Sequence, residues 1–287
     1  AFSNQGAYAS HGHGIVAKGA SAFKQIYVDA VATKCDAYTI FTNMPASGAM
    51  RAYGIPQVSF AIESSVEDAA TALGIDSLAL RRMNMMPVGY RDAFSHNVNY
   101  FDTLNQCIDK GKAYIDYERK HAEYEHQTGP VRRGVGMAIF WYNTAVWPIS
   151  LEASSCRLIM NQDGSVQFFI AETEIGQGAD TAFAQMVADT VGLPLNKVHV
   201  VSTQDTDITP FGTGAYASRQ TYVAGFAIHN IGTQLKNKVL SYAEYLTKKP
   251  ADTLDLVDGI VIEKASGEKL MPIEELATTA LYSLDHA

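Results

Sequence analysis

Basic stretches, long apolar runs and cysteines are all scarce in this chain. The 22 lysines and arginines are scattered without a basic run and the formal net charge is -8, so a polyanion finds no electrostatic footprint and nucleic-acid binding is not expected. No apolar stretch approaches the roughly 20 residues that span a bilayer, and the first residues lack the basic and apolar regions of a signal peptide. The expectation is a soluble, cytoplasmic protein. Three cysteines, Cys35, Cys107 and Cys156, are an odd number set far apart, which argues against a disulfide scaffold and for buried free thiols in a reducing compartment. None has paired ligand spacing, so no iron-sulfur cluster is expected here. His11 and His13 would share a face of a strand, yet two histidines without a third ligand make a poor metal site and read as structural.

What is present is apolar bulk: 287 residues, of which 47% are hydrophobic, enough for one large or two modest domains. The first residue is Ala1 rather than methionine, and the expectation is a piece of a longer chain. Residues 37–43 read as a strand feeding a turn at Met44-Pro45. After Pro56 the apolar positions Val58, Ala61, Ile62, Ala69, Ala70 and Leu73 follow helical spacing, with Gly74 as the stop. Asp76 caps a further helix through Met83, and 101–127 reads as one long amphipathic helix. Beyond Pro130, 136–142 and 153–161 read as strands, and Gln162-Asp163-Gly164-Ser165 is a hairpin turn into a strand over 166–172. Asp180 is the expected cap of a helix with Phe183, Met186, Val187 and Val191 on one face, followed by a strand at 198–202. A loop over 203–217 leads to a long helix bearing Val223, Phe226, Ile231, Leu235 and Val239. The expectation is an α+β chain of mixed sheets and packed helices, divided near Gln127 to Arg133 into 1–128 and 129–287.

Three segments carry candidate chemistry. Glu174-Ile175-Gly176-Gln177-Gly178 lies between a strand and a helix, where glycines admit close backbone approach, an amide side chain donates and accepts, and a helix N-terminus favours anions. Taken alone, so short a pattern reads sooner as an ordinary strand-to-helix turn. Gly212-Thr213-Gly214-Ala215-Tyr216-Ala217-Ser218-Arg219-Gln220-Thr221 again precedes a long helix; the plain alternative is a cap with Ser218 as N-cap. In Ser47 to Gln57, Arg51 offers a fork of donors to an oxyanion and Tyr53 a ring face to a planar molecule, the alternative being a carboxylate partner for Arg51 and packing for Tyr53.

Taken together, in order and spacing, these segments resemble the molybdopterin-binding motifs of the xanthine oxidase family: Arg51-Ala52-Tyr53-Gly54-Ile55-Pro56-Gln57, Gly176-Gln177-Gly178 and Ala217-Ser218-Arg219-Gln220-Thr221. Phe2-Ser3-Asn4-Gln5-Gly6-Ala7-Tyr8 is similar to the strand upstream of the first motif. The resemblance implies the molybdenum cofactor-binding fold of that family, with Arg51 and Ala217 at a molybdenum-molybdopterin cofactor and Gly176, Gln177, Gly178, Ser218 and Thr221 along its pterin and phosphate side. It places Tyr53 against the substrate and Lys18 near a substrate-orienting position, with a second ring from Trp141, Tyr142 or Trp147. The implied activity is hydroxylation of xanthine, hypoxanthine or a related heterocycle with oxygen from water, beside partner subunits carrying iron-sulfur clusters and FAD. An aldehyde or nicotinate hydroxylase is the alternative within the family, and a non-catalytic phosphate- or nucleotide-binding module or a scaffold for partner subunits the alternatives outside it. The family's base-bearing Gly-Glu-x-Pro motif has no match, because Gly267-Glu268-Lys269 continues into Leu270; no catalytic residue is assigned, and this piece alone is expected to be inactive, to bind no cofactor and to oligomerise through uncovered apolar surface.

Overall fold

A computed structural model describes residues 2–9, 12–22, 26–28, 30–92, 96, 98–142, 144–145, 152–203 and 205–283. The chain falls into two compact units, residues 1–142 and 143–287.

In the first unit, β1 (Phe2–Gly6) pairs in parallel with β2 (Tyr38–Phe41), and the Phe2 and Tyr38 rings stack with centroids 5.4 Å apart. Between them runs α1 (Gly12–Ala22). The strand expected around His11 and His13 is thus a helix there, with His13 exposed on it; His11 lies outside the described residues. Three glycines give this segment a poor helix propensity, and packing overrides it: a Cβ on Gly19 would lie 2.8 Å from the Val58 side chain. Helix α2 (Ile55–Leu73) starts with Pro56 in its first turn and stops at Gly74, whose N–H reaches the carbonyls of Ala70 and Thr71, as the spacing predicts. The Asp76 carboxylate caps α3 (Ser77–Asn84) by accepting from the Ala79 amide. The single helix expected over 101–127 is two, α4 (Thr103–Ile115) and α5 (Tyr117–Glu125), broken where Asp116 takes a φ of 55°. Residues 136–142 form no strand. The Ile139 amide donates instead to the buried Glu63 carboxylate, so its backbone partner is a side chain and not a neighbouring strand. Leu78, Ile108, Tyr117 and Ile139 belong to one buried apolar cluster, and the guanidinium of the fully buried Arg81 binds Glu63 at 2.8 Å and Glu67 at 2.7 Å.

In the second unit, β3 (Cys156–Met160) and β4 (Val166–Ile170) form the expected hairpin, and β5 (Val198–Val200) joins β4 in parallel after α6 (Ala179–Val191). Helix α7 (Gln220–Thr247) packs against α6 and β3. Val166, Phe168, Phe183, Val187 and Ile228 are buried between sheet and helices, each contributing roughly 1.5–3 kcal/mol. A meander of β6 (Leu254–Val257), β7 (Ile260–Glu263) and β8 (Lys269–Pro272), then α8 (Ile273–Tyr282), completes the unit. The meander is absent from the sequence reading. Among the described residues no helix is long and apolar enough to cross a membrane.

Candidate functional site

The first unit carries Arg51, Tyr53 and Lys18. Ala52, Tyr53 and Gly54 follow one another with φ of 60°, 45° and 93°, a left-handed run that aims the chain into α2 and that L residues adopt only under constraint. The constraint is α1. A Cβ on Gly54 would lie 2.3 Å from the Ile15 carbonyl oxygen, and one on Gly14 would lie 2.6 Å from the Tyr53 hydroxyl, so both positions need glycine for backbone and ring to pass. Arg51 is exposed and forms no side-chain hydrogen bond or ion pair among the described residues, unlike the carboxylate-paired arginine of the alternative reading. Lys18 is buried with its Nζ 5.9 Å from the Tyr142 ring centroid. Of the two candidate second rings among the described residues, Tyr142 lies beside Lys18 and Trp141 borders a small cavity with Tyr27, Val58 and Glu63; Trp147 lies outside the described residues.

The second unit carries the other two loops. At the end of β4 the chain turns through Gly176 and Gly178, with φ of 96° and 85°, and a Cβ at either would meet nothing within 4 Å; the turn faces open space. Asp180 is not the cap of α6. Gly178 holds that position, and the Glu174 carboxylate does the capping: Oε1 accepts from the amides of Gly176 at 2.6 Å and Gly178 at 3.2 Å, and Oε2 from Asp180 at 3.1 Å. The Asp180 amide, with those of Gly178 and Gly176, holds the Glu174 carboxyl below the usual glutamate range, as hydrogen bonding to the charged form requires. A glutamate at the start of a Gly-x-Gly turn was the available signal, since a carboxylate is favoured where helix N–H groups stand open.

Gln177 points back across this turn. Its Oε1 accepts from the Ile175 amide at 2.7 Å, and its Nε2 donates to the Thr173 carbonyl at 3.0 Å and to Gln220 Oε1 at 2.7 Å. Gln220 in turn donates to the Thr173 carbonyl at 2.8 Å. The Gly176-Gln177-Gly178 turn and the start of α7 are therefore joined side chain to side chain.

In the other loop, Ala217 and Ser218 have φ of 52° and 55°, and the Ala217 carbonyl accepts from the Ala145 amide at 2.7 Å. Ser218 is not the N-cap of α7; Arg219 holds that position without a side-chain cap bond. Ser218, with its left-handed backbone, is an exposed residue, as is Thr221. Buried atoms without a hydrogen-bond partner include Thr213 Oγ1, Ser154 Oγ and Glu172 Oε2. Glu268 pairs with Lys249 at 3.0 Å, an exposed surface contact.

Residues 110–286 match the family model of the molybdopterin cofactor-binding domain, and residues 1–85 match a second model of the same description. The xanthine dehydrogenase molybdenum-binding subunit of Escherichia coli O157:H7 is 45% identical over 281 residues, which take in 98% of this chain and 37% of that protein. Among solved structures, quinoline 2-oxidoreductase from Pseudomonas putida 86 superposes with a TM-score of 0.76 at 22% identity, over 98% of this chain and 37% of that one. Aldehyde oxidoreductase from Desulfovibrio desulfuricans does so with a TM-score of 0.69 at 21% identity, over 93% and 33%. These two share the fold. With most of its length matched by one family model, the chain belongs to the molybdopterin cofactor-binding domain family and has the α+β fold of the xanthine oxidase family.

Proposed function

We propose that this chain is part of the molybdenum-binding subunit of a xanthine dehydrogenase-type hydroxylase, oxidising xanthine, hypoxanthine or a related heterocycle with oxygen from water. In this reading its two molybdopterin-binding portions work in the cytoplasm beside subunits that carry iron-sulfur clusters and FAD. The observation that carries the reading is the Gln177–Gln220 bond, which joins two of the three motifs in a chain 45% identical to such a subunit.

The donor set suits an anionic, carbonyl-rich pterin. The exposed residues Arg51, Ser218 and Thr221 bring a guanidinium and two hydroxyls, and the Glu174 carboxylate at the Gly176-Gln177-Gly178 turn has both oxygens occupied by amides. Both Nε2 hydrogens of Gln177 are spent, but its Oε1 accepts one bond and has a second lone pair; Gln177 would accept from a pterin N–H. Gly176 and Gly178 would let the ring approach over their bare Cα faces, Arg51 would hold an oxyanion, and Ala217 would meet the cofactor where its left-handed backbone turns outward. When bound, the molybdenum-pterin group supplies the redox and oxygen-transfer chemistry. Tyr53 and Lys18 would orient the substrate, the lysine drawing a carbonyl or anionic edge toward Tyr142.

The test is the complete subunit purified with its partners and assayed for molybdenum, pterin and turnover of xanthine and of aldehydes. Molybdenum with xanthine turnover supports the reading; aldehyde turnover alone moves the chain to the aldehyde-oxidising branch. Absence of molybdenum and pterin leaves a phosphate-binding module. Arg51→Ala and Gln177→Ala should each lower pterin content, and unchanged content in both would leave only a scaffold.

A further inference from the structure

Ala217 and Ser218 lie in a backbone region that L residues keep only when their surroundings hold them there. What holds them follows at once in the chain. The Arg219 side chain is completely buried, and its guanidinium reaches four acceptors, three on two other segments and one in its own loop. Nε donates to Glu152 Oε2 at 2.6 Å, Nη1 to Glu172 Oε1 at 3.0 Å and to the Gly214 carbonyl at 2.8 Å, and Nη2 to the Ala153 carbonyl at 2.7 Å. The Gly214 bond closes the loop on itself, from its beginning to its end. Those to Glu172 and Ala153 tie it to the end of β4 and to the segment before β3. A Cβ on Gly212 would lie 2.5 Å from that of Ala171, so the loop also lies directly on the strand end.

Only a planar fork of donors serves these directions at once; a lysine ammonium satisfies one or two of them. A buried guanidinium facing two carboxylates is not explained by fold stability, since apolar residues of similar volume often serve a core as well or better. Its geometry is explained by the loop. We infer that Arg219 is a positioning residue: clamped by Glu172 and Glu152, it locks residues 214–218 in the one conformation that presents Ala217 and Ser218 outward, and the adjacent Gln220 passes that registration to Gln177. That the presented group is the pterin cofactor rests on the function proposed above; that Arg219 locks the loop does not.

The experiment uses the complete subunit with its partners, in wild-type form and as Arg219→Lys, Glu172→Gln and the double change Arg219→Met with Glu172→Gln. Amide hydrogen exchange over 213–219, pterin per subunit from its fluorescent oxidation product, and the thermal midpoint are read for each. Arg219→Lys keeps the charge and should keep the midpoint, while exchange at the Tyr216 amide, which donates inside the loop, rises about tenfold or more and pterin content falls by about half or more. The double change removes the fully buried pair, Arg219 and Glu172, and leaves Glu152, whose side chain still reaches solvent; it therefore folds without a stranded Glu172 carboxylate and should show the same two effects. Glu172→Gln alone leaves an acceptor for Nη1 and should stay close to wild type in both. Wild-type exchange in Arg219→Lys overturns the proposal, as does accelerated exchange with undiminished pterin. A wild-type subunit that contains no pterin refutes the cofactor reading instead, and the exchange rates still decide whether Arg219 holds the loop.

Discussion

Gln177 Nε2 donates to Gln220 Oε1 across 2.7 Å, joining two turns that lie 43 residues apart in the chain. Both side chains also donate to one carbonyl, that of Thr173, so the three groups form a closed triangle at the end of β4. A neutral hydrogen bond at a solvent-facing position contributes about 0.5–1.5 kcal/mol. Gln220→Leu removes two of the three sides and should cost about that much in urea unfolding. Its larger effect should be on ligand retention: the complete subunit should carry less pterin by more than so modest a loss of stability accounts for. Unchanged pterin in this variant would mean that the two loops act independently.

The pH dependence of the Gly176-Gln177-Gly178 turn follows from Glu174. Its carboxyl is held below the ordinary range, first by the Asp180 amide and then by those of Gly178 and Gly176. A carboxyl whose folded pKa is depressed contributes stability that is present above its unfolded value of about 4.3 and disappears as pH falls through the lower folded value. Below that range the protonated acid accepts less well and the amides at the start of α6 lose their partner. Stability measured against pH should therefore fall more steeply between about pH 5 and 3 for the wild type than for Glu174→Gln, which has no charge to lose. Identical slopes for the two proteins would show that Glu174 binds its amides no better than water does.

Much of the second unit was legible because its signals are local. The turn Asp163-Gly164-Ser165 fixes the β3–β4 hairpin through its own side chain, Asp163 accepting from both the Ser165 amide and hydroxyl, and the apolar face of α6 repeats at helical spacing. The meander of β6 to β8 carried such a signal too: Asp258-Gly259, with φ of 49° and 73°, is the pair that a two-residue hairpin favours, and it went unread beside the longer helices. The first unit hid its structure for another reason. Helix α1 has three glycines and exists because Ile15 and Gly19 pack on Gly54 and Val58, a tertiary fact with no local trace. Residues 136–142 look like a strand by composition, and the side chain that captures Ile139 comes from 76 residues earlier. The candidate loops show in the sequence through their glycines, polar side chains and place ahead of helices, and again through motif resemblance, but the residues that shape them, Glu174, Arg219 and Gln220, fill positions where the motifs specify nothing, and their partners appear only once the chain is folded.

The cysteines offer a simple check of burial. Cys35 and Cys107 are exposed, whereas Cys156 on β3 is partly covered and its thiol is pushed up to about 11 by that burial. Since the thiolate is the nucleophile, iodoacetamide at pH 8 should modify Cys35 and Cys107 in the native protein within minutes and leave Cys156 unmodified until denaturant is added. Mass spectrometry of the peptides decides it. Early labelling of Cys156, which packs against the core beside Leu158 and Met160, would mean that the core-facing side of the β3–β4 hairpin opens to solvent.

The ion cluster of the first unit gives the largest predicted stability change. Arg81 is fully buried between Glu63 and Glu67, and Glu63 also accepts from the Tyr27 hydroxyl and the Ile139 amide. Burial, followed by the neighbouring Glu63, raises the Tyr27 phenol well above its usual range, so the hydroxyl remains a donor throughout the working pH range. Arg81→Ala strands the Glu63 carboxylate away from water without its cation, and breaking a buried pair in this way costs about 3–5 kcal/mol. Changing both partners, Arg81→Met with Glu63→Gln, leaves an uncharged acceptor for Tyr27 or Ile139 and fills the volume. That pair should cost about 2 kcal/mol or less, because the desolvation of two charges is removed along with their attraction. Urea unfolding of the single and double variants separates the cases. If the double change is as damaging as Arg81→Ala, the cluster is held by the particular shape of its fork of hydrogen bonds, and the charge of Glu63 is not what makes the arginine necessary.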